Sequence, residues 1–300
     1  MNPDLNKFIE ELGKEIKQSD DEYLKVDAMK RIEDIARDYN GEDKIVSSIE
    51  LYEKIKLQPE EKKIFTGFGD LDAILGGFRR KQLVVVSAAT KSGKTSFCME
   101  ITTRVKEENP MWLPFEEPAE ELLRKFYERN AEPPIFYTPE KMTGNTLLWV
   151  EKKIVEAKAK YNSKIVFIDH LHFIVPMTSE RQDLAIGQAM RELKRMAKQW
   201  DVVIVLIAHI KKTKVEIQPE LEDLRDSSFI AQEADTVIML WRESKREKGQ
   251  IVITNNVNIS VQANRRTGKT GNIKMIFDNG RFIEQDWKHE KNEKQNDEEW

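Results

Sequence analysis

One stretch limits what this chain can fold into more than any other: Leu83-Val-Val-Val-Ser87-Ala88-Ala89-Thr90-Lys91-Ser92-Gly93-Lys94-Thr95-Ser96. Its apolar opening has the composition of a strand buried on both faces, as found where helices cover a parallel sheet. The residues after it return the chain into a helix, and they match the phosphate-loop pattern G-x-x-x-x-G-K-[ST] except that Ala88 stands for the first glycine. Unpaired backbone N–H groups at such a loop, with the positive end of the helix dipole, can cradle phosphate oxygens. On this reading Ala88, Ala89, Thr90, Lys91, Ser92, Gly93, Lys94, Thr95 and Ser96 bind nucleotide. Lys94 would reach the β- and γ-phosphates and the Thr95 hydroxyl would coordinate Mg²⁺. The alternative is an ordinary turn containing Gly-Lys-Thr, which the flanking strand and helix disfavour. The chain carries its own control: Gly268-Lys269-Thr270 repeats the tripeptide between two strand-like runs, with no helix after it, and reads as a hairpin turn.

From residue 64 onward, apolar runs alternate with amphipathic segments, the signature of an α/β fold. Strands are expected at Leu83–Ala88, Met111–Phe115, Ile165–Asp169, Val202–His209, Thr236–Trp241, Ile251–Thr254, Ile259–Ala263 and Ile273–Asp278. Helices are expected at Thr95–Glu107, Pro118–Asn130, Thr146–Tyr161, Asp183–Trp200 and Ser228–Ala234. Upstream, Leu5–Lys17, Asp21–Asp38 and Ser47–Lys56 read as helices with too few aromatics for a core of their own. Three parts follow: a helical N-terminal or linker segment over 1–60, an ATPase-type domain over 61–287, and an acidic C-terminal tail over 288–300, too polar to fold alone.

Composition excludes several classes. The longest apolar run, Val202–Ala208, is far short of the ~20 residues of a membrane span, and no apolar leader segment opens the chain. One cysteine, Cys98, rules out an internal disulfide framework and fits a reducing, cytoplasmic compartment. The net charge of −4 hides a gradient: residues 1–60 carry −6 and 281–300 carry −3, leaving +5 on the stretch between. A local basic channel is therefore compatible with an acidic whole.

Further candidates end strands, where α/β folds place ligands. Asp169 closes Ile165–Asp169 and would hold, through water, the Mg²⁺ that Thr95 coordinates. Glu116 and Glu117 follow the strand at Met111; a carboxylate there is placed to polarise the attacking water, and the competing reading is compensation of a helix dipole. His209 ends the most apolar strand and could sense the γ-phosphate, with Lys211, Lys212 and Lys214 beyond it as contacts to nucleic-acid backbone; a hydrogen-bonded histidine beside solvated lysines is the competing reading. His170 and His172 form an alternating pair that suggests metal, but with no third or fourth ligand nearby a metal site is not expected there, and four scattered histidines with one cysteine argue against a structural zinc site as well. Arg265 and Arg266 approach the second Gly-Lys-Thr turn, where they are either solvated or directed at a neighbour's nucleotide.

Taken together, these motifs resemble the RecA-type motor domain of the DnaB-like replicative DNA helicases, the hexameric ring helicases of bacteria and phages. Thr66-Gly67-Phe68-Gly69-Asp70-Leu71-Asp72 with Gly76-Gly77-Phe78 is similar to the motif ahead of the first strand. Asp223-Leu224-Arg225-Asp226-Ser227 and Ile230-Ala231-Gln232-Glu233-Ala234-Asp235 are similar to a later signature. The family's phosphate loop commonly begins with alanine, which accounts for Ala88. The resemblance spans roughly residues 64–280. It implies a RecA-like P-loop NTPase core with a mostly parallel central sheet flanked by helices, ATP and Mg²⁺ as cofactors, and Glu116 as catalytic glutamate. It further implies Arg266, or else Arg265, as an arginine finger acting between subunits. The partners implied are single-stranded DNA, further copies of the chain in a hexameric ring, and a primase, polymerase or single-strand-binding protein, in the cytoplasm of a bacterial or phage-infected cell. Three features depart from the bacterial pattern: His209 stands where glutamine is usual, Asn264 where a lysine assists the finger, and neither a primase nor a full N-terminal helical domain is present in these residues. His209 and the tail ending Asp297-Glu298-Glu299-Trp300 are more like the phage primase-helicases. A RecA- or clock-type ATPase acting in recombination or protein remodelling is the alternative activity on the same core, and a nucleotide-binding accessory protein a third.

Overall fold

The structure, a computed structural model, describes residues 14, 30, 45–59, 61–89, 92–130, 132–175, 182–209, 218–223, 227–247 and 250–284. The chain divides into two units, residues 1–61 and 62–300. In the first, helix α1 (Ser48–Lys56) opens with a reciprocal cap: the Ser47 hydroxyl accepts from Glu50 N while the Glu50 carboxylate accepts from Ser47 N. Of the two helices expected before it, only Lys14 and Lys30 are among the described residues, both helical, and the tail from 288 lies outside them.

The second unit runs α2 (Gly69–Leu75), β1 (Leu83–Ala88), α3 (Lys94–Arg104), β2 (Met111–Pro114), α4 (Ala119–Arg129), α5 (Leu147–Tyr161), β3 (Ile165–Asp169), α6 (Gln182–Gln199), β4 (Val203–His209), α7 (Ser227–Glu233), β5 (Thr236–Glu247), β6 (Gln250–Asn264), β7 (Gly271–Asp278) and β8 (Arg281–Glu284). These strands form one mixed sheet in the order β2-β3-β4-β1-β5-β6-β7-β8. The pairs from β2 through β5 are parallel and those from β5 through β8 antiparallel. No helix among the described residues is long and apolar enough to cross a membrane.

β1 lies at the centre, and its alternate residues feed opposite layers. Val84 and Val86 pack with Phe97 and Ile101 of α3, Leu122 and Phe126 of α4, and Trp112. Leu83 and Val85 pack with Val150 and Ile154 of α5 and Leu193 and Met196 of α6. A strand wedged between two helical layers cannot alternate polar with apolar, hence the continuous run seen in sequence. Trp112 is fully buried, its ring stacks on Phe167 at 4.9 Å, and its indole N–H donates to Thr102 Oγ1 at 2.9 Å; truncation there would cost roughly 3–5 kcal/mol.

The expected strands and helices are found with ends shifted by a few residues, apart from three differences. The two strands expected at Ile251–Thr254 and Ile259–Ala263 are one, β6, pairing with a β5 that extends to Glu247. Pairing with β5 slips register between Arg242 and Ser244, so residues 254–256 bulge from that ladder while Asn256 pairs with Ile276 of β7; Arg242 donates to Thr254 O, and the Asn256 and Asn258 amides donate to the Glu243 carboxylate. Helix α2 was not expected; Asp72 holds the loop ahead of it by accepting from Thr66 N, Thr66 Oγ1 and Gly67 N. Strand β8 was not expected either. It follows a tight turn in which Asn279 and Gly280 both take positive φ, the hairpin chemistry of Asn-Gly.

Candidate functional site

Parallel pairing aligns the ends of β1, β2, β3 and β4 along one edge. Across the sheet Pro114 pairs with Asp169, Asp169 with Ile207, and His209 with Ala88. Residues far apart in the chain therefore surround the start of α3.

Gly93 caps α3 with φ 90°, and a Cβ there would meet Phe282 Cζ at 3.2 Å. The positive φ favours glycine here, and a Cβ would also crowd the aromatic floor beneath the loop. Phe277 and Phe282 make that floor, and Phe282 also packs edge-on against Phe97 at 5.3 Å. This contribution of the C-terminal hairpin was missed in the sequence because β8 was missed.

Lys94 follows and is nearly buried at 6% exposure. Its ammonium donates to the Ala88 and Ala89 carbonyls at 3.1 Å and lies 3.1 Å from His209 Nδ1. Burial pulls its pKa down to about 8, against the attraction of Asp169 and Glu116. Thr95 Oγ1 donates to Asp169 Oδ2 at 2.9 Å. Asp169 is 2% exposed, and its Oδ1 is buried with no hydrogen-bond partner among the described residues. Burial raises its carboxyl to about 6, helped by Glu116 and Glu117 and opposed by the Thr95 bond and Lys94. A hydroxyl and a carboxylate with an uncommitted buried oxygen are hard donors that suit Mg²⁺, and Lys94 with the helix start suits the phosphates it would bridge. The donor set fits the implied cofactor.

The two glutamates part company here. Glu117 is held by Lys125 of α4 in a close ion pair. Glu116 is half exposed and faces His209, with Oε2 3.9 Å from Nε2. His209 thus sits between Lys94 and Glu116. Thr90 and Lys91 of the loop, and Lys211, Lys212 and Lys214, lie outside the described residues. Ser92 and Ser96 belong to the loop and the first turn of α3.

Arg265 and Arg266 do not join this cluster. Asn264 pairs with Thr236 and Thr236 with Val84, at the start of β1, whereas Ala88 at its end pairs with Leu240. Both arginines are exposed at the opposite edge of the sheet. Asn264 is committed locally: its Oδ1 accepts from Arg266 N and Thr267 N, and its amide donates to Leu75 O.

The charge state of Asp169 has a thermodynamic consequence. A carboxyl whose pKa is raised on folding binds its proton more tightly in the native state, so stability falls as pH rises from about 4 to about 6 and the deficit persists above. Asp169→Asn is expected to stabilise the nucleotide-free protein by about 1–3 kcal/mol at pH 7. The advantage should shrink towards pH 4, where the native carboxyl is already protonated. Urea denaturation at the two pH values checks this, and a variant less stable than wild type at pH 7 would contradict it.

The family model of the DnaB-like helicase C-terminal domain matches residues 63–135 and 117–283. This chain belongs to the DnaB-like helicase family. Among relatives, it is 24% identical over 286 residues to a probable replicative DNA helicase of Trieres chinensis, covering 78% of this chain and 61% of that one. It is 25% identical over 248 residues to the replicative DNA helicase DnaC of Bacillus subtilis, covering 71% and 54%. The chain therefore spans little more than half the length of these curated relatives. Among solved structures, an isolated ATPase domain superposes with a TM-score of 0.66 at 22% identity, covering 79% of this chain and 97% of that one. A DnaB-like replicative helicase, described with its interactions with primase, superposes at 0.65 and 19% identity, covering 93% and 76%. The fold is the RecA-like P-loop NTPase core seen in those structures.

Proposed function

We propose that this chain is the motor of an ATP-driven, ring-forming replicative DNA helicase that moves along single-stranded DNA and unwinds duplex. The observation that carries the reading is the gathering of Lys94, Thr95, Asp169, Glu116 and His209 around one helix start, in a chain of the DnaB-like family. Thr95 and Asp169 hold Mg²⁺, which neutralises charge on the phosphates. Lys94 leaves the loop carbonyls for the β- and γ-phosphates, and Glu116 orients and deprotonates the attacking water. His209, touching both, links phosphate contact to the segment beyond β4. Arg266 acts on the nucleotide of a neighbouring subunit. The acidic tail serves contacts with a primase, polymerase or single-strand-binding protein. DNA-stimulated ATP hydrolysis with fork unwinding is expected. Stimulated hydrolysis without unwinding, on filaments seen by electron microscopy, would favour the recombinase-type alternative.

The basic segment supplies a separate prediction. Neutralising Lys211, Lys212 and Lys214 together should weaken single-stranded DNA binding for all sequences alike and flatten its salt dependence by ~0.7 for each phosphate no longer neutralised. Basal ATPase activity should change little while its stimulation by DNA falls. An unchanged salt slope would make these lysines an ordinary solvated surface.

A further inference from the structure

Three neighbouring strands each deliver a metal-binding side chain to the same few ångströms. Glu116 follows β2, His170 follows β3 and His209 ends β4, and one ligand atom of each lies within 4.8 Å of the other two. The sequence offered His170 only His172 as a companion; the strand order supplies the missing ligands from either side. The His170 and His209 rings have centroids 4.4 Å apart. His170 takes φ 110° and ψ 106°, a conformation that costs a non-glycine residue about 1–3 kcal/mol and recurs at ligand-binding positions.

We propose that Glu116, His170 and His209 form a binding site for a zinc-type divalent cation, separate from the Mg²⁺ position at Thr95 and Asp169. Two imidazoles and one carboxylate suit Zn²⁺ better than Mg²⁺, and three protein ligands leave a fourth position for water. Ligand atoms around a tetrahedral Zn²⁺ stand roughly 3.3 Å apart for bonds near 2.0–2.1 Å. The trio must therefore draw in by up to about 1.5 Å, and Glu116, with 51% of its side chain exposed, has the freedom to do so. His209 offers Nε2, the atom facing Glu116. Its Nδ1 then carries the proton, so Lys94 gives up that contact and keeps the Ala88 and Ala89 carbonyls. An occupied site takes the Glu116 carboxylate out of use and holds the chemistry it serves in an off state.

The site rests on geometry and is tested without nucleotide. The protein over residues 1–300, stripped of metal, is titrated near neutral pH with Zn²⁺ by calorimetry and with Co²⁺ by visible absorption. Wild type and His172→Asn are expected to bind one equivalent per chain, with the intense d–d bands of tetrahedral Co²⁺. His170→Asn should bind at least about tenfold more weakly. Equal affinity in wild type and a folded His170→Asn protein would overturn the assignment. Should that variant fail to fold, the wild-type Co²⁺ spectrum decides, and absence of tetrahedral bands at one equivalent overturns it. Zinc binding by a protein without ATPase activity would leave this site standing and count only against the helicase reading.

Discussion

Glu116→Gln is expected to bind Mg-ATP like the native protein and to hydrolyse it about 10²–10⁴-fold more slowly, the usual loss on removing a general base. The amide keeps the size of the side chain but cannot take a proton from water. The neighbouring carboxylate is a sharp control. Glu117 is engaged by Lys125 of α4, whereas Glu116 faces His209 at the open end of β2. Glu117→Gln should therefore act mainly on the seating of α4 and spare most of the turnover. Single-turnover hydrolysis and nucleotide binding measured side by side separate the two. Native turnover in Glu116→Gln with loss in Glu117→Gln would exchange the assignments.

Arg266→Ala is expected to assemble and bind ATP yet lose about 10³–10⁵-fold in turnover, the range for arginine fingers. The register of the sheet argues that it acts between chains. Arg266 lies beyond the edge where Val84 pairs with Thr236, while the phosphate loop begins at Ala88. Those four residue steps already span about 13 Å of strand, before the loop and the nucleotide are reached. Mixing Arg266→Ala with excess Glu116→Gln should restore part of the activity, because some interfaces then join an intact glutamate to an intact arginine. No recovery in mixtures shown to exchange subunits would instead give Arg266 a local structural role.

Most of the parallel half of the fold was legible because its signals are local. A continuous apolar run between breakers marks β1 and β4, and helical spacing of apolar residues marks α5 and α6. The antiparallel half was less legible. Asn255-Asn256 lies where β6 slips register against β5, and its place in the strand rests on the pairing of Asn256 with Ile276 of β7 and on bonds to Arg242 and Glu243. Asn279-Gly280 is a local hairpin signal for β8, whereas the aromatic support that β8 lends Gly93 is a long-range contact that no local pattern carries. Within the site, Lys94, Thr95 and Asp169 could be named from strand–loop–helix context. The resemblance already singles out Glu116 over Glu117; the Lys125 ion pair that engages Glu117 is what no local pattern encodes. The closeness of His170 to His209 and Glu116 depended on strand order, which single-strand patterns do not encode.

The central claim is that this motor works as a ring on single-stranded DNA, and particle mass tests it most directly. With a non-hydrolysable ATP analogue, Mg²⁺ and single-stranded DNA, native mass measurement should give one dominant species near six times the 35.1 kDa chain mass plus DNA. Omitting nucleotide should shift the distribution towards smaller species. A 35.1 kDa monomer persisting in every condition would contradict the account.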